Sequence, residues 1–149
     1  MGCDIHCFIE KKTDEKYNVW QQVKIYNVNE WSYGLDVVNP YDGRSYDLFS
    51  ILAGVRGEYE PLVSPRGLPE NLSQDVEKEK IWWNEDYHTP TWYDLNELLL
   101  FKKMYAEKEE YESFIYFVDK IEMYLDFAKE WIYGDVAPGR YRVIMWFDS

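Results

Sequence analysis

Residues 3–10 alternate with the two-residue period of a β-strand. One face of this strand would carry Cys3, Ile5, Cys7 and Ile9, and the other would carry Asp4, His6 and Phe8. Residues 11–16 are polar and turn-like, and residues 17–25 read as a second strand. The N-terminus therefore predicts a β-hairpin with a longer loop.

Residues 141–147 are rich in Val, Ile and aromatic side chains and predict a third, buried strand. We expect it to lie beside the first strand, which would bring both chain ends together at the sheet. Between these strands the sequence predicts helices. Ser45 would cap a helix over residues 46–55, and Ser73 would cap a short helix that ends near residue 83.

Two more helices are predicted in the second half of the chain. Thr91 with Asp94 three residues later predicts the start of a helix over 92–105, and a longer helix is predicted over 108–133, ending at Gly134. Residues 26–43, 60–72 and 84–90 are predicted to be irregular, and the last of these segments contains His88.

These elements predict the α+β class. The expected architecture is a small antiparallel sheet, made of the N-terminal hairpin and the C-terminal strand, packed with several helices that include a long one near the C-terminus. The sequence shows no internal repeat and no linker, so residues 1–149 are predicted to form a single domain.

The charge and the cysteines exclude several classes of function. The net charge of −12 argues against direct binding to nucleic acid or to an anionic membrane, because phosphate binding needs clustered Lys and Arg. The same charge would attract a basic protein. The two cysteines lie four residues apart and form no disulfide framework. With no apolar run near the ~20 residues of a membrane span, we expect a reduced, cytosolic protein.

The N-terminal strand contains a candidate metal site. Asp4 and His6 are two residues apart and would point the same way, and both are good ligands for Zn²⁺ or a similar divalent ion. His88, the only other histidine, is the candidate third arm, and the fourth position is open to Cys3, Asp148 or a water. The alternative is a solvated strand face, with the cysteines as small core residues.

The long predicted helix presents two sets of apolar residues. One stripe consists of Tyr111, Phe114, Ile115, Val118, Ile121, Leu125, Ala128 and Ile132. The second set, Tyr116, Met123 and Phe127, lies among the acidic residues Glu112, Asp119, Glu122, Asp126 and Glu130. This second set either packs under another element of the chain or forms a partner surface with aromatic anchors in an acidic rim.

Several motifs resemble a group of small phage and prophage proteins that begin with MGCDIH. The matching segments are residues 1–6, 44–56, 66–69, 88–92 and 146–148. The group usually has serine at the two positions that Thr89 and Thr91 occupy here, so each keeps a hydroxyl. Residues 17–40 and 102–140 carry no motif of the group.

One branch of this group, which the chain resembles, is a zinc-containing anti-CRISPR inhibitor of the type II, single-protein Cas nuclease. The resemblance implies a structural zinc ion held by Asp4, His6 and His88, with Cys3 and Asp148 as further candidates. It also implies that the partner is the nuclease with its guide RNA, in the cytoplasm of the bacterial host. Such an inhibitor would block the loading or cleavage of target DNA.

A second hypothesis is a metal-dependent enzyme. Two histidines and one carboxylate with an open coordination position suit a hydrolase or a non-haem iron protein, and Asp4, His6 and His88 would form that site. A fourth ligand from Cys3 or Asp148 would instead favour a structural metal. The sequence presents no second base that must lie beside the metal, which favours the inhibitor over the enzyme.

Overall fold

The computed structural model describes residues 2–130 and 138–149. The strands are β1 (Asp4–Asp14), β2 (Val19–Gln22), β3 (Tyr26–Val28), β4 (Leu35–Val37), β5 (His88–Asp94) and β6 (Tyr141–Asp148). The helices are α1 (Tyr46–Ala53), α2 (Gln74–Trp83), α3 (Leu95–Met104) and α4 (Glu112–Phe127). Short 3-10 turns precede α4 and β6. The predicted α+β class is confirmed.

The main sheet has four antiparallel strands in the order β2-β1-β6-β5. The two end strands of the chain lie side by side, as predicted, with Asp4 opposite Asp148 and Lys11 opposite Tyr141. Because directly opposed residues share a face of the sheet, this register decides which side chains meet. The N-terminal motif and the last residues of the chain therefore lie together at one end of the sheet.

Each face of the sheet is covered by a different set of helices. On one face, Cys3, Ile5, Cys7 and Ile9 are buried in the main core against α1, α3 and α4. On the other face, Phe8, Ile144 and Trp146 pack with Val76 of α2 in a smaller core. Full burial of each large apolar side chain contributes about 1.5–3 kcal/mol. The first strand is therefore buried on both faces over much of its length.

Serine caps fix the starts of α1 and α2 where the sequence predicts them. The Ser45 hydroxyl accepts from the backbone N–H of Leu48, and the Ser73 hydroxyl accepts from that of Val76, each at 3.3 Å. Gly54 ends α1 with a φ of 70°, a conformation that glycine adopts without steric cost.

Three predicted boundaries are wrong. Residues 88–94 form β5 and not a loop followed by a helix, because Thr91 and Tyr93 are buried and pair with β6. The N-cap of α3 is consequently Asp94, three residues after the predicted Thr91. A 3-10 turn occupies 109–111, so α4 begins at Glu112, and the predicted end near residue 133 lies outside the described residues.

Residues 26–37 also differ from the prediction, because they form a two-stranded hairpin instead of an irregular segment. Tyr26 pairs with Val37, and Val28 pairs with Leu35. Each strand has only three residues, too few for a recognisable period in the sequence.

A buried ion pair joins β1 to β6 on the α2 side of the sheet. The Arg142 side chain donates to a Glu10 carboxylate oxygen at 2.7 Å, and both residues are at most 4% exposed. The other Glu10 oxygen accepts from the Ser73 N–H at 2.7 Å, and the guanidinium lies 3.9 Å from the Trp20 ring centroid. Burial lowers the pKa of Arg142. The pair thus ties two strands to the start of α2.

The ion pair between Arg66 and Glu97 gives a testable pH dependence. The guanidinium of Arg66 donates to both Glu97 oxygens at 2.6 Å, and this contact holds the pKa of Glu97 below its ordinary value. We expect Glu97→Gln to lower the free energy of unfolding by about 1–2 kcal/mol at pH 7. The native carboxylate stabilises the fold above its unfolded-state pKa, so the difference should vanish as pH falls through its folded-state pKa. Urea titrations at pH 7 and pH 3 measure this, and an equal difference at both pH values would contradict it.

Candidate functional site

The N-terminal strand and the C-terminal strand bring three of the predicted metal ligands onto one face of the sheet. His6 Nε2 lies 2.6 Å from Asp148 Oδ2. Asp4 is directly opposite Asp148 and two residues from His6, so all three side chains point to the face that α2 covers. The His6 ring also packs against Trp83, with ring centroids 4.2 Å apart. The contact between His6 and Asp148 therefore joins the start of β1 to the end of β6.

Asp4 has a different partner from the other two residues. The Nε and Nη2 atoms of Arg44 donate to its Oδ1 at 3.0 and 2.6 Å. Both side chains are about half exposed. Because exposed ion pairs contribute only about 0–1 kcal/mol, Asp4 is free to exchange Arg44 for another cation at little cost.

The two cysteines lie on the opposite face, inside the main core. Both thiols are free and fully buried, and burial raises the pKa of each. The backbone N–H of Cys3 donates to the Tyr46 hydroxyl at 3.2 Å. These thiols behave as small apolar groups in the main core, on the face away from the His6 and Asp148 side chains.

His88 lies on the same face as the cysteines, away from His6. It is opposite Phe147, its ring stacks on the Phe147 ring, and its Nε2 lies 3.0 Å from the Ser149 hydroxyl. A register irregularity between His88 and Thr91 produces this placement. Since Thr91 pairs with Met145, regular pairing would set His88 opposite Asp148, on the face that His6 occupies. The bulge therefore separates the two histidines.

The predicted ligands consequently form two groups, with Asp4, His6 and Asp148 on one face and Cys3 and His88 on the other. Within residues 2–130 and 138–149, no cluster of three or more His, Cys, Asp or Glu side chains is arranged to hold a metal ion. The imidazole of His6 and the carboxylate of Asp148 have the right chemistry for zinc. In this arrangement, however, the five residues do not make one ligand set.

Metal analysis of single variants tests which of these residues hold an ion. If the tag-free protein contains zinc, we expect His6→Ala and Asp148→Asn to lower the zinc-to-protein ratio at least several-fold, whereas His88→Ala should leave it unchanged. Each ligand lost from a zinc site weakens binding strongly. A ratio near zero in the unaltered protein would reject the zinc prediction. Loss of zinc from the His88 variant would contradict the described register.

The second predicted site is the solvent-facing side of α4. Tyr116, Met123 and Phe127 are 54%, 47% and 72% exposed, and no described element packs over them. We call these residues, with the acidic residues beside them, the α4 face. Its acidic members are Glu112, Asp119, Glu122 and Asp126. Lys102 bonds to both Asp119 and Glu122, at 2.6 and 2.9 Å, and partly neutralises the middle of this face.

The sequence did not indicate an exposed apolar surface that lies on the β3–β4 hairpin. Tyr26, Val28, Leu35 and Val37 share one face of the hairpin and are 46–66% exposed. Trp31 and Tyr33, between the strands, are 95% and 87% exposed. We call these six residues the hairpin surface. The sequence signal for this surface was the alternation of apolar residues at 26 and 28 and again at 35 and 37. Each of these stretches is too short to predict a strand.

The hairpin surface continues into a groove beside α2. The groove has a volume of about 590 Å³ and is lined by residues that include His6, Val37, Pro40, Trp82 and Trp83. Ile81 and Trp82 of α2 are 66% and 75% exposed. The groove thus connects the apolar side chains of the hairpin with the exposed side of α2.

Comparisons of the chain with protein-family models, with curated proteins and with solved structures give no match. The resemblance to the MGCDIH group therefore depends on the sequence motifs alone. In the part of the chain that the structure describes, no helix is both long enough and apolar enough to cross a bilayer.

Proposed function

We propose that this chain is a protein-binding inhibitor that docks through the hairpin surface. The observation that carries the proposal is the set of six apolar side chains on that surface, each about half or more exposed. Contiguous exposed apolar side chains on a folded domain are typical of protein interaction sites. Tryptophan and tyrosine are the residue types that contribute most to binding at such sites.

The base of the hairpin is held in a fixed position, which supports a docking role. The Tyr124 side chain is 5% exposed, and its hydroxyl accepts from the Ile25 N–H at 2.9 Å and donates to the Val38 carbonyl at 3.0 Å. The Val38 N–H donates in turn to the Ile25 carbonyl at 2.8 Å. A surface that is already ordered loses less conformational entropy when it binds.

The net charge of −12 supports a basic partner. Electrostatic complementarity raises association rates and disfavours acidic partners. RNA-guided nucleases hold their heteroduplex in a positively charged channel, so an acidic inhibitor complements such a protein. The resemblance to the anti-CRISPR branch makes the type II Cas nuclease with its guide RNA the proposed partner, in the cytoplasm of a bacterial host.

A pull-down tests this assignment of the partner. The immobilised chain should retain the purified nuclease loaded with guide RNA, and less of it as the salt concentration rises, because charge contributes to the encounter. The control for specificity is the same experiment with an unrelated basic protein of similar size, which should pass through. Retention of both proteins to the same extent would contradict a specific interface, and retention of neither would reject the partner.

A further inference from the structure

An open cavity lies between the start of α1 and the start of α4, apart from the hairpin surface and from His6. Its volume is about 440 Å³. Four of the residues that line it are acidic, namely Asp47, Glu109, Glu110 and Glu112. We call this space the acidic cavity.

The carboxylates of the acidic cavity have no cationic partner among the described residues. Among the ion pairs of the described residues, none involves any of these four carboxylates. Asp47 and Glu112 lie in the first turns of α1 and α4, where the helix dipole favours a negative charge. The dipole accounts for the position of acidic residues at these helix starts, but it leaves their net charge uncompensated.

Two hydroxyls beside the acidic cavity have no hydrogen-bond partner among the described residues. Tyr41 is only 6% exposed, it lines the cavity, and its hydroxyl forms no hydrogen bond with any described residue. The Ser113 hydroxyl, which lines the same cavity, is buried without a hydrogen-bond partner in the described part of the chain. The Tyr41 hydroxyl thus belongs to a residue that is more than nine-tenths buried and has no partner among the described residues, and a polar ligand in the cavity would satisfy it. Burial raises the pKa of Tyr41, which keeps its phenol neutral.

The arrangement of the lining groups favours a large cation over a metal ion. Metal ions need several oxygen ligands converging within about 2.0–2.6 Å, and no described cluster of carboxylates meets that condition. The carboxylates instead surround a space that also contains the rings of Tyr59 and Tyr116. Aromatic rings attract cations, and the Lys120 ammonium already lies 5.5 Å from the centroid of the Tyr116 ring.

We infer that the acidic cavity binds an arginine side chain of the partner protein. A guanidinium presents five donors to carboxylates and hydroxyls and stacks on aromatic rings, which matches the lining groups. Glu112 and Tyr116 belong to both the cavity and the α4 face, so the arginine would enter from the α4 face and make a contact separate from that of the hairpin surface. For the identity of the partner, this inference rests on the proposed function.

A short peptide tests the inference without the nuclease. The probe is an acetylated, amidated Gly-Arg-Gly peptide, titrated into the full-length ¹⁵N-labelled chain and followed by two-dimensional NMR. We expect amide shifts near Asp47, Tyr59 and Ser113, with a Kd on the order of 1 mM for one side chain. The matched control replaces arginine with citrulline, its neutral analogue, and should cause no shifts. Equal shifts with both peptides, or shifts only outside the cavity, would overturn the inference.

Charge-matched variants separate the cavity from the general acidity of the chain. Glu109→Gln with Glu112→Gln should raise the Kd of the arginine peptide by about threefold or more, as expected for the loss of two partly exposed ion pairs. Glu70→Gln with Glu85→Gln changes the net charge equally at exposed positions outside the cavity and should leave the Kd unchanged. An equal effect of both pairs would overturn the inference.

Tyr41→Phe supplies a second test, because it removes only the unpartnered hydroxyl. This variant should also raise the Kd of the arginine peptide. An unchanged Kd would show that the Tyr41 hydroxyl does not contact the bound arginine. Failure of the proposed function gives a different pattern. In that case the arginine peptide still binds the cavity, and the nuclease is not retained by the chain.

Discussion

Replacing Arg142 with methionine is expected to lower the free energy of unfolding by about 3–5 kcal/mol, because the buried Glu10 carboxylate loses its cation. The change also removes the guanidinium from the Trp20 ring and from the Asn71 carbonyl, to which it donates at 3.1 Å. Chemical denaturation followed by far-UV circular dichroism measures the change.

Two further variants show whether this cost arises from the buried charge. Lys80→Met removes an exposed ion pair with Glu77 and should change the free energy of unfolding by no more than about 0.5 kcal/mol. Adding Glu10→Leu to Arg142→Met removes the uncompensated charge and should recover part of the loss. Recovery should be incomplete, because the Ser73 N–H then has no acceptor. A loss below about 1 kcal/mol for Arg142→Met would contradict this description of the core.

The second large effect is expected on binding, at the tip of the hairpin. Trp31→Ser with Tyr33→Ser should weaken the complex with the nuclease on the order of 100-fold. Aromatic side chains at the centre of an interface commonly contribute about 1–2 kcal/mol each, and about 2.7 kcal/mol for the two together corresponds to that factor. Biolayer interferometry on the guide-loaded nuclease gives the dissociation constants directly.

The turn between β1 and β2 offers a matched control for that prediction. Tyr17, in the turn between β1 and β2, is 67% exposed and lies outside the hairpin surface. Tyr17→Ser should leave the dissociation constant within about twofold of its original value, because an exposed residue outside the interface contributes little. All these variants change exposed positions, so they should keep the denaturation midpoint of the original protein. If the variant with both hairpin-tip replacements binds as tightly as the unaltered chain, the hairpin surface is not the docking site.

Side-chain periodicity was sufficient to predict β1 and β6, the two central strands of the sheet. The alternation of Cys3, Ile5, Cys7 and Ile9 gave the correct buried face of β1, and the apolar run after Tyr141 gave β6. The serine caps of α1 and α2 were readable because capping is a local interaction. These features depend only on residues that are close together along the chain, so a single sequence is sufficient to predict them.

The features that the sequence could not give depend on contacts between distant segments. β5 forms because Thr91 and Tyr93 pair with β6, and their own periodicity is too short to show it. The face on which His88 lies is decided by a bulge of the backbone, where Thr89 has a φ of 52°, an uncommon value for a β-branched residue. The prediction that Asp4, His6 and His88 bind one metal ion depended on this backbone geometry. The spacing of residues along the chain does not contain that information.

The most direct test of the proposed inhibition is a target-DNA cleavage assay with the purified type II nuclease, its guide RNA and an excess of this chain. We expect cleavage to fall in proportion to the amount of inhibitor bound, and we expect the Trp31→Ser, Tyr33→Ser variant to restore it at the same concentration. If a large excess of the unaltered chain leaves the rate of cleavage unchanged, the chain is not an inhibitor of this nuclease.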